Sequence, residues 1–402
     1  MTGSTTLDIV LVVALLAYTV SGWRQGFVAA VLGVVGLITG AYLAVRFGPT
    51  LLGSHTDIDV ATPVGTLVLI GIVLLVATLG QGLMLALSST VRARIQTSGL
   101  RLVDSLLGAV AVLVAAVLVL WVVAGAVRTG GPAALRSAVA RSTVVQTVDA
   151  VVPPSASRIV DDVTSALDRG GFPRVFEGLG PEPISSVPPP DDDLRRDPDI
   201  ERAVGSVIHV RADAPRCGQA QVGSGWVMSR GHVATNAHVV AGATSVQVDV
   251  GGTGPELDAT VVAFDPDRDI AVLSVPGLRA PVLGRGEDLS RGADAVVAGF
   301  PGDEGLWVGA ARVRAVLTAR GADIYGQAGT TREIYSLRAQ VRQGASGGPL
   351  LDAEGDVVGM VFATSLDDDD TGYALTLDEM SPVLTAAARS TAAVSTGRCA
   401  AG

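Results

Sequence analysis

Four long apolar runs, all within the first 127 residues, constrain the fold of this 402-residue chain more than any other feature. They are Ile9–Gly22, Phe27–Val45, Val64–Leu87 and Leu102–Val127. A helix needs about 20 apolar residues to cross a bilayer, and the last three runs have that length while the first is shorter. Asp8 precedes the first run, where a cleaved signal peptide would carry basic residues. We therefore expect an all-α, four-helix transmembrane bundle over residues 1–127.

The positions of arginines between the runs predict how this bundle is oriented. Arg24 lies between the first two runs, and Arg92, Arg94 and Arg101 lie between the third and the fourth. Because loops rich in basic residues stay in the cytoplasm, everything after Val127 is expected outside the cytoplasmic membrane. The sequence thus predicts a multi-pass protein of the cytoplasmic membrane, in contact with its lipid, with a periplasmic (extracytoplasmic) C-terminal part.

Small residues recur at four-residue spacing within the runs, as in Gly22–Gly26 and Gly36–Gly40. This spacing lets helices approach closely, so packing within one bundle is favoured over a transport path. Asp104 begins the fourth run and is interpreted as a cap or helix-interface residue rather than a proton relay, although carboxylates inside membranes often have functions.

The charged residues exclude several classes of function. The net charge of −10 argues against a nucleic-acid partner, because such proteins normally present a basic face. All 29 basic residues are Arg, which excludes a Ser–Lys dyad, a Schiff-base lysine and a P-loop lysine. Two Cys and four scattered His lack the paired spacing of a structural zinc site, so we expect no metal and no cofactor.

The composition changes twice after the bundle. Residues 128–199 form a connector that has helical spacing over Pro132–Leu167 and is rich in Pro, Gly and Asp over Phe172–Asp199. The second part cannot bury a core and predicts an extended tether. Residues 200–402 hold many short alternating apolar runs separated by Gly, Asp and Pro, which predicts an all-β pair of barrels. One helix is expected near the end, over Asp378–Arg389.

The segment QVRQGASGGPLLD places Ser346 on a glycine-rich turn between two apolar runs. It also fits the G-x-S-x-G nucleophile elbow of α/β-hydrolases, but that fold needs a histidine after the serine, and none follows here. A subtilisin order needs Asp, His and Ser on a parallel sheet, which the short alternating runs do not predict. The order that remains is His, Asp, Ser on an all-β scaffold. The alternative is a structural turn in an inactive relative.

Three histidines precede Ser346 in this region. His238 ends an apolar run in VATNAHVVAGA and is the favoured candidate for the general base. His209 alternates inside a strand and His232 follows Arg230-Gly231 in a turn, so structural roles are favoured for both.

Three aspartates in FDPDRDIAVLSV are candidates for the third member of the site. Asp269 directly begins the apolar strand, where a carboxylate can be buried against an imidazole. Asp265 and Asp267 flank Pro266 and suit a turn.

Three blocks of sequence, TNAHVV, DRDIAVL and GASGGPL, resemble the catalytic blocks of the trypsin-like and HtrA-like serine proteases. The resemblance covers residues 200–399 and implies a C-terminal double β-barrel of chymotrypsin type with a C-terminal helix. The first 127 residues resemble the CvpA-type four-helix membrane domain, chiefly in DIVLVVALLAYTVSGWRQGF. The pairing of the two domains resembles the membrane-anchored acid-resistance proteases of mycobacteria and other actinobacteria. Only 56 residues follow Ser346, so we expect no PDZ domain of the HtrA kind.

This resemblance implies a role for each residue of the site. Ser346 would be the nucleophile, His238 the general base, and Asp269 the residue that orients the imidazole. The backbone N–H groups of Gly344 and Ser346 would form the oxyanion hole.

The same resemblance places a substrate pocket beside the serine. Gln340, six residues before Ser346, would line the base of the S1 pocket, and its neutral side chain predicts no strict Arg or Lys preference. The strand Val361-Phe362-Ala363-Thr364 would form one wall and pair with substrate backbone. The acidic run Asp367–Asp370 is interpreted as a solvated loop, with attraction of basic substrates as the alternative.

Cys217 and Cys399 lie near the two ends of the C-terminal domain. We hypothesise that they form a disulfide that clamps the C-terminal helix to the first barrel, since disulfides persist outside the cytoplasm. Two free thiols are the alternative.

Together these features predict a membrane-anchored serine endopeptidase that acts on peptide or protein substrates in the cell envelope. The resemblance implies a part in the response to acid or oxidative stress. The alternative is a membrane transporter or scaffold with an inactive or accessory protease-like binding domain, although few polar residues line the apolar runs. A protease next to an extended tether also predicts self-cleavage within residues 172–199.

Overall fold

The computed structural model describes residues 3–55, 63–92, 101–152, 175–217, 219–252, 254–302 and 305–400. The chain divides into two compact units. The first comprises Met1–Arg169 with Gly178–Pro181, and the second comprises Gly170–Glu177 with Glu182–Gly402.

Helices form the described part of the first unit up to residue 151. Its helices are α1 (Gly3–Gln25), α2 (Phe27–His55), α3 (Pro63–Arg92), α4 (Arg101–Gly130), α5 (Ala133–Ala140) and α6 (Thr143–Val151). In the described part of the chain, three stretches are long and apolar enough to cross a membrane, namely Ser4–Gln25, Phe27–Gly48 and Leu102–Arg128. The first span is therefore longer than its apolar run alone suggests. In α3 the apolar stretch found among the described residues is shorter, Gly71–Ala86, so the fourth span remains a prediction.

Asp104 caps a helix in this unit. Gly26 has a φ of 75°, which ends α1 and lets α2 begin directly at Phe27. The backbone N–H of Phe27 donates to Oδ1 of Asp104 at 2.9 Å. Because the first N–H groups of a helix have no partner within it, this carboxylate satisfies one of them, which agrees with the cap interpretation.

Glycines bring the long helices into close contact. A Cβ atom on Gly22 of α1 would lie 2.6 Å from the carbonyl oxygen of Gly108 in α4. A Cβ atom on Gly40 of α2 would lie 2.5 Å from the carbonyl oxygen of Val76 in α3. Two pairs of backbones, α1 with α4 and α2 with α3, therefore meet at distances that only glycine permits, as the four-residue spacing predicts.

The second unit consists of two closed six-stranded barrels, which confirms the chymotrypsin-type architecture. The first barrel contains β1 (Val207–Ala214), β2 (Gln219–Ser229), β3 (His232–Thr235), β4 (Ser245–Val250), β5 (Leu257–Asp265) and β6 (Ile270–Ser274). The second contains β7 (Asp294–Gly299), β8 (Trp307–Ala322), β9 (Ala328–Arg338), β10 (Pro349–Leu351), β11 (Val357–Thr364) and β12 (Thr371–Thr376). Strand order is β1-β2-β3-β6-β5-β4 in the first and β10-β11-β12-β9-β8-β7 in the second, with antiparallel neighbours.

Buried and exposed side chains alternate along the strands, which explains how the strands close into barrels around an apolar core. In β1, Val210 and Ala212 are buried while Arg211 and Asp213 are exposed, the period of two that a half-buried strand requires. The strand β6 is buried at every position and pairs with β3 and β5. Apolar side chains of both barrels and of the C-terminal helix form one buried cluster, which includes Trp226, Ile270, Met360 and Leu384.

Short helices complete the second unit. Two α-helices, α7 (Pro198–Ala203) and α8 (Ala237–Val240), and 3₁₀ turns at Asp193–Arg196, Val204–Ser206 and Pro215–Cys217 connect the strands. The expected C-terminal helix is α9 (Leu377–Ala387). It begins where the hydroxyl of Thr376 accepts a hydrogen bond from the N–H of Glu379 at 3.2 Å, an N-terminal cap.

The part of the connector that belongs to the second unit, from Glu182 onward, is bound to the second barrel rather than free. Arginine side chains of the barrel donate to backbone carbonyls of Ser185, Ser186 and Val187, at 2.9, 2.9 and 2.8 Å. The composition predicts an extended backbone, and an extended backbone leaves its carbonyls open to such donors. Residues 153–174 of the predicted connector, which include the start of the tether, lie outside the described residues.

The carboxyl of Glu182 anchors this segment beside β12. It accepts hydrogen bonds from the hydroxyls of Ser365 and Tyr373 and from the N–H of Leu366. Burial raises the pKa of Glu182 above its usual value, because a charge removed from water is disfavoured.

Glu182→Gln is expected to remove a pH dependence of stability. With a raised folded pKa, wild-type Glu182 contributes stability below its unfolded pKa and loses it as the pH rises through the folded value. The amide of the variant does not titrate, so the unfolding free energy of the wild type relative to the variant should fall as the pH rises. The fall is about 1.4 kcal/mol per unit by which the two pKa values differ. Urea unfolding from pH 4 to 8 measures it, and a constant or rising difference would refute the assignment.

The C-terminal tail is fixed to the first barrel. Cys217 and Cys399 form a disulfide across a sequence separation of 182 residues. The N–H of Gly242 donates to the carbonyl of Thr396 at 3.0 Å, and the N–H of Val394 donates to the carbonyl of Val261 at 2.9 Å. The segment clamped to the barrel is thus the tail after α9 rather than the helix itself.

Replacing both cysteines by serine, Cys217→Ser with Cys399→Ser, is expected to lower the unfolding free energy by about 3 to 5 kcal/mol. The bond closes a long loop and so restricts the unfolded chain. Denaturant unfolding followed by tryptophan fluorescence checks the value. An unchanged midpoint, or two reactive thiols in wild-type protein purified without reductant, would contradict it.

Candidate active site

Ser346 lies on a turn that only glycines can form. Gly344 and Gly347 have φ values of 94° and 83°, in the left-handed region. A Cβ atom on Gly344 would lie 2.5 Å from the carbonyl oxygen of Phe300, so no side chain fits there. The N–H of Ala345 donates to the carbonyl of Arg342 at 3.0 Å, which closes the turn. Ser346 itself is buried, with 4% of its surface exposed.

Two backbone donors in this turn are unused. The N–H groups of Ala345, Gly347 and Gly348 all donate to backbone carbonyls. Among the residues that the structure describes, the N–H groups of Gly344 and Ser346 donate no hydrogen bond. Unpaired buried N–H groups are rare in proteins, so a pair on either side of Ala345 calls for an explanation. Such donors are what an oxyanion hole supplies.

His238 is held by both carboxylate oxygens of Asp269. Its backbone N–H donates to Oδ1 at 2.9 Å, and its ring Nδ1 lies 2.7 Å from Oδ2. A carboxylate can only accept, so the proton of the neutral ring lies on Nδ1 and leaves Nε2 as an acceptor. His238 belongs to the short helix α8, directly after β3, and only 9% of its surface is exposed.

Asp269 is completely buried and has an unusual backbone. Its φ is 63°, the only positive value at a non-glycine residue in the described part of the chain. Such a conformation costs about 1–3 kcal/mol and persists only where its surroundings enforce it. The side-chain amide of Asn236 donates to the carbonyl of Asp269 at 2.8 Å, and the guanidinium of buried Arg332 donates to that of Asp267 at 2.8 Å. The turn before β6 is therefore fixed from two sides.

The other candidate aspartates and histidines lie elsewhere. Asp265 accepts from the backbone N–H of Arg268 at 2.9 Å and pairs with its guanidinium, as a turn residue would. The ring of His232 contacts the carbonyl of Ser390 at 2.8 Å. His209 forms a second buried pair, with Nδ1 3.0 Å from Oδ2 of Asp249. The sequence pattern does not predict this pair, since the two residues become partners only through the register of β1 and β4.

The residues of the predicted substrate pocket differ in their exposure. Gln340 is exposed, and its side-chain amide donates to Asp370 at 3.1 Å, so the acidic loop lies beside it. Val361, Phe362 and Ala363 are completely buried, whereas Thr364 is partly exposed. The strand β11 adjoins the nucleophile turn directly, because the N–H of Gly347 donates to the carbonyl of Val361 at 2.8 Å.

The acidic loop is not simply solvated. Asp368 forms an ion pair with buried Arg314 at 3.1 Å, and Asp367 accepts from the N–H of Glu182 at 2.8 Å. These carboxylates therefore hold the connector and β8 as well as facing water.

Similarity to known proteins covers both units. The family model of the trypsin-like peptidase domain matches residues 223–360, and that of the colicin V production protein matches residues 7–153. Serine protease Rv3671c of Mycobacterium tuberculosis (strain ATCC 25618 / H37Rv) is 36% identical over 404 residues, which cover 99% of this chain and 100% of that protein.

Two further comparisons concern the C-terminal unit. The crystal structure of the Rv3671c protease from M. tuberculosis in its active form matches with a TM-score of 0.53 and 42% identity, over 56% of this chain and 99% of that one. A probable periplasmic serine endoprotease, DegP-like, of Brucella suis biovar 1 is 37% identical over 158 residues, or 37% of this chain and 29% of that protein.

Proposed function

Since this chain belongs to the family of membrane-anchored, trypsin-like serine proteases that includes Rv3671c, we propose that Ser346, His238 and Asp269 form its catalytic triad. The observation that carries the proposal is the double hydrogen bond by which buried Asp269 holds both the backbone and the ring of His238. A histidine with a purely structural role does not need one carboxylate to hold both its backbone and its ring. A general base, in contrast, must present one ring nitrogen in a fixed direction.

The reaction proceeds in two halves. Ser346 Oγ attacks the carbonyl carbon of the scissile peptide while Nε2 of His238 takes its proton. His238 then gives that proton to the leaving amine, and the C–N bond breaks to leave an acyl-enzyme. A water molecule, deprotonated by His238, attacks the acyl group, and the proton returns to Ser346 as the acid is released.

Negative charge develops on the substrate oxygen in both halves. The unused N–H groups of Gly344 and Ser346 would stabilise it, since donors placed where charge develops contribute about 3 kcal/mol each. Asp269 stabilises the imidazolium that forms when His238 accepts the proton. Neither step calls for a metal or a cofactor.

The substrates we propose are peptides or proteins of the cell envelope. Gln340 supplies an amide rather than a carboxylate at the expected base of the S1 pocket, and β11 would pair with substrate backbone through Val361–Thr364. The buried side chains of Val361 to Ala363 favour a contribution from the backbone rather than from those side chains. A role in acid or oxidative stress stays a prediction from the family resemblance.

We propose that the protease unit lies outside the cytoplasmic membrane, with the helical unit as its anchor. The arginines of the loops after the first and third apolar runs support this orientation. A C-terminal epitope tag tests it: antibody should reach the tag in intact spheroplasts. A tag reached only after the membrane is permeabilised would reverse the orientation.

Hydrolysis of fluorescent casein by the purified full-length protein in detergent tests the proposed activity. We expect turnover by the wild type and none by Ser346→Ala. Self-cleavage within residues 172–199 is tested by mass spectrometry of the chains in membranes that contain the wild type or Ser346→Ala. A chain of unchanged length in wild-type membranes, equal to that of Ser346→Ala, would exclude self-cleavage without affecting the proposed activity.

A further inference from the structure

We propose that Ser224, a residue of the first barrel outside the triad, is a positioning residue that fixes the nucleophile turn and its oxyanion hole. The inference rests on the proposed function of Ser346 and extends it. Ser224 lies in β2 and is completely buried, so its side chain does not reach the surface.

Every polar group of Ser224 is used, and three of the four hydrogen bonds reach the second barrel. Its Oγ donates to the carbonyl of Gly344 at 2.7 Å and accepts from the N–H of Phe300 at 2.8 Å. Its backbone N–H donates to the carbonyl of Ser346 at 2.7 Å. Its carbonyl accepts from the hydroxyl of Thr235 at 2.7 Å, which holds Ser224 in place within its own barrel.

These bonds act on the two residues whose N–H groups are proposed to form the oxyanion hole. Gly344 and Gly347 flank the nucleophile, and glycine restricts its own backbone less than any other residue. The direction of the donors must therefore be set by hydrogen bonds around them. The peptide between Gly344 and Ala345 is fixed at both ends, its carbonyl by Ser224 and its N–H by the carbonyl of Arg342.

Ser224 also holds the surface against which the turn packs. The carbonyl oxygen of Phe300 is the nearest atom to the position where Gly344 would carry a Cβ. The hydroxyl of Ser224 accepts from the N–H of Phe300 and donates to the carbonyl of Gly344. It therefore fixes the distance between the backbone at Phe300 and the nucleophile turn. The ring of Phe300 packs on His209, with centroids 5.1 Å apart, and His209 is the partner of Ser224 in the register of β1 and β2.

Loss of the hydroxyl should affect the transition state more than substrate binding. In Ser224→Ala the carbonyl of Gly344 and the N–H of Phe300 lose a buried partner, and the turn can rotate to recover one. A rotated turn misdirects the oxyanion donors, which act only once charge has developed. A lower kcat with an unchanged KM is the signature of that loss.

The test compares Ser224→Ala with the wild type, both as full-length chains in detergent, on a fluorogenic peptide that the wild type cleaves. We expect kcat to fall by about 10²-fold, with KM within threefold, because one oxyanion donor is worth about 10²–10³ in kcat. Inactivation by a fluorophosphonate should slow in parallel.

The matched control is Ser336→Ala. Ser336 is also completely buried, and its hydroxyl has no hydrogen-bond partner among the described residues. Its kcat should stay within about twofold of the wild type, since no hydrogen bond is lost.

Ser224→Cys keeps the test decisive if the alanine variant does not fold. A thiol of similar size is a weak donor, so its kcat should fall between those of the wild type and the alanine variant. Wild-type kcat in either folded Ser224 variant, or a raised KM with kcat unchanged, would overturn the inference and leave the proposed function intact. A wild type that neither cleaves peptides nor reacts with the fluorophosphonate would overturn the proposed function, and this inference with it.

Discussion

Ser346→Ala is expected to reduce peptide hydrolysis by about 10⁴- to 10⁶-fold, because removing the nucleophile leaves only the oxyanion hole and binding to lower the barrier. His238→Ala should lose nearly as much. The double variant should be no worse than either single one, since the two residues act as a unit. Steady-state hydrolysis by the three purified variants, with substrate well above KM, provides the measurement.

Ser206→Ala is the control for the same chemical change. Ser206 is buried, its hydroxyl has no partner among the described residues, and it lies outside the proposed site. We expect it to retain wild-type activity. Residual activity above about 1% in Ser346→Ala, with contaminating proteases excluded, would show that another residue is the nucleophile.

Asp269→Asn is expected to lower kcat by about 10⁴-fold with little effect on stability at neutral pH. The carboxylate accepts from both the backbone N–H and Nδ1 of His238. An amide of the same shape can accept only through its oxygen, and its NH₂ group turned toward Nδ1 would favour the tautomer with the proton on Nε2. That tautomer cannot take the proton of Ser346.

The second buried His–Asp pair provides the control for this prediction. Asp249→Asn makes the same change beside His209, where the distance from Nδ1 to the carboxylate is 3.0 Å. We expect a loss of less than about tenfold, because His209 takes no part in proton transfer. Equal losses in the two variants would mean that Asp269 acts on the fold rather than on the chemistry.

The sequence predicted the features that depend on local pattern. The length and hydrophobicity of the runs predicted the long helices, and alternation with frequent glycines predicted the barrels. The absence of a histidine after Ser346 was enough to exclude the α/β-hydrolase fold, and the short alternating runs excluded the parallel sheet of subtilisin. The pairing of Cys217 with Cys399 followed from their positions at the two ends of one domain.

Features that depend on long-range register or on backbone direction could not be predicted. The pairing of His209 with Asp249 arises from the register of two strands 40 residues apart in sequence. The composition of the connector predicted an extended tether. It does not reveal that the side chains of Arg314 and Arg338 donate hydrogen bonds to the backbone carbonyls of this segment. The proposed role of Ser224 depends on the hydrogen bond from its hydroxyl to the carbonyl of Gly344, which lies 120 residues away in the sequence.

The central claim is that Ser346 and His238 form one assembled nucleophilic site, and covalent labelling tests it most directly. Full-length oxidised protein in detergent is treated with a fluorophosphonate probe, and the adduct is located by peptide mass spectrometry. The account predicts one adduct, on Ser346, absent in Ser346→Ala and formed at least about 10²-fold more slowly in His238→Ala. No adduct on folded wild-type protein, an adduct at another residue, or equally rapid labelling of His238→Ala would contradict it.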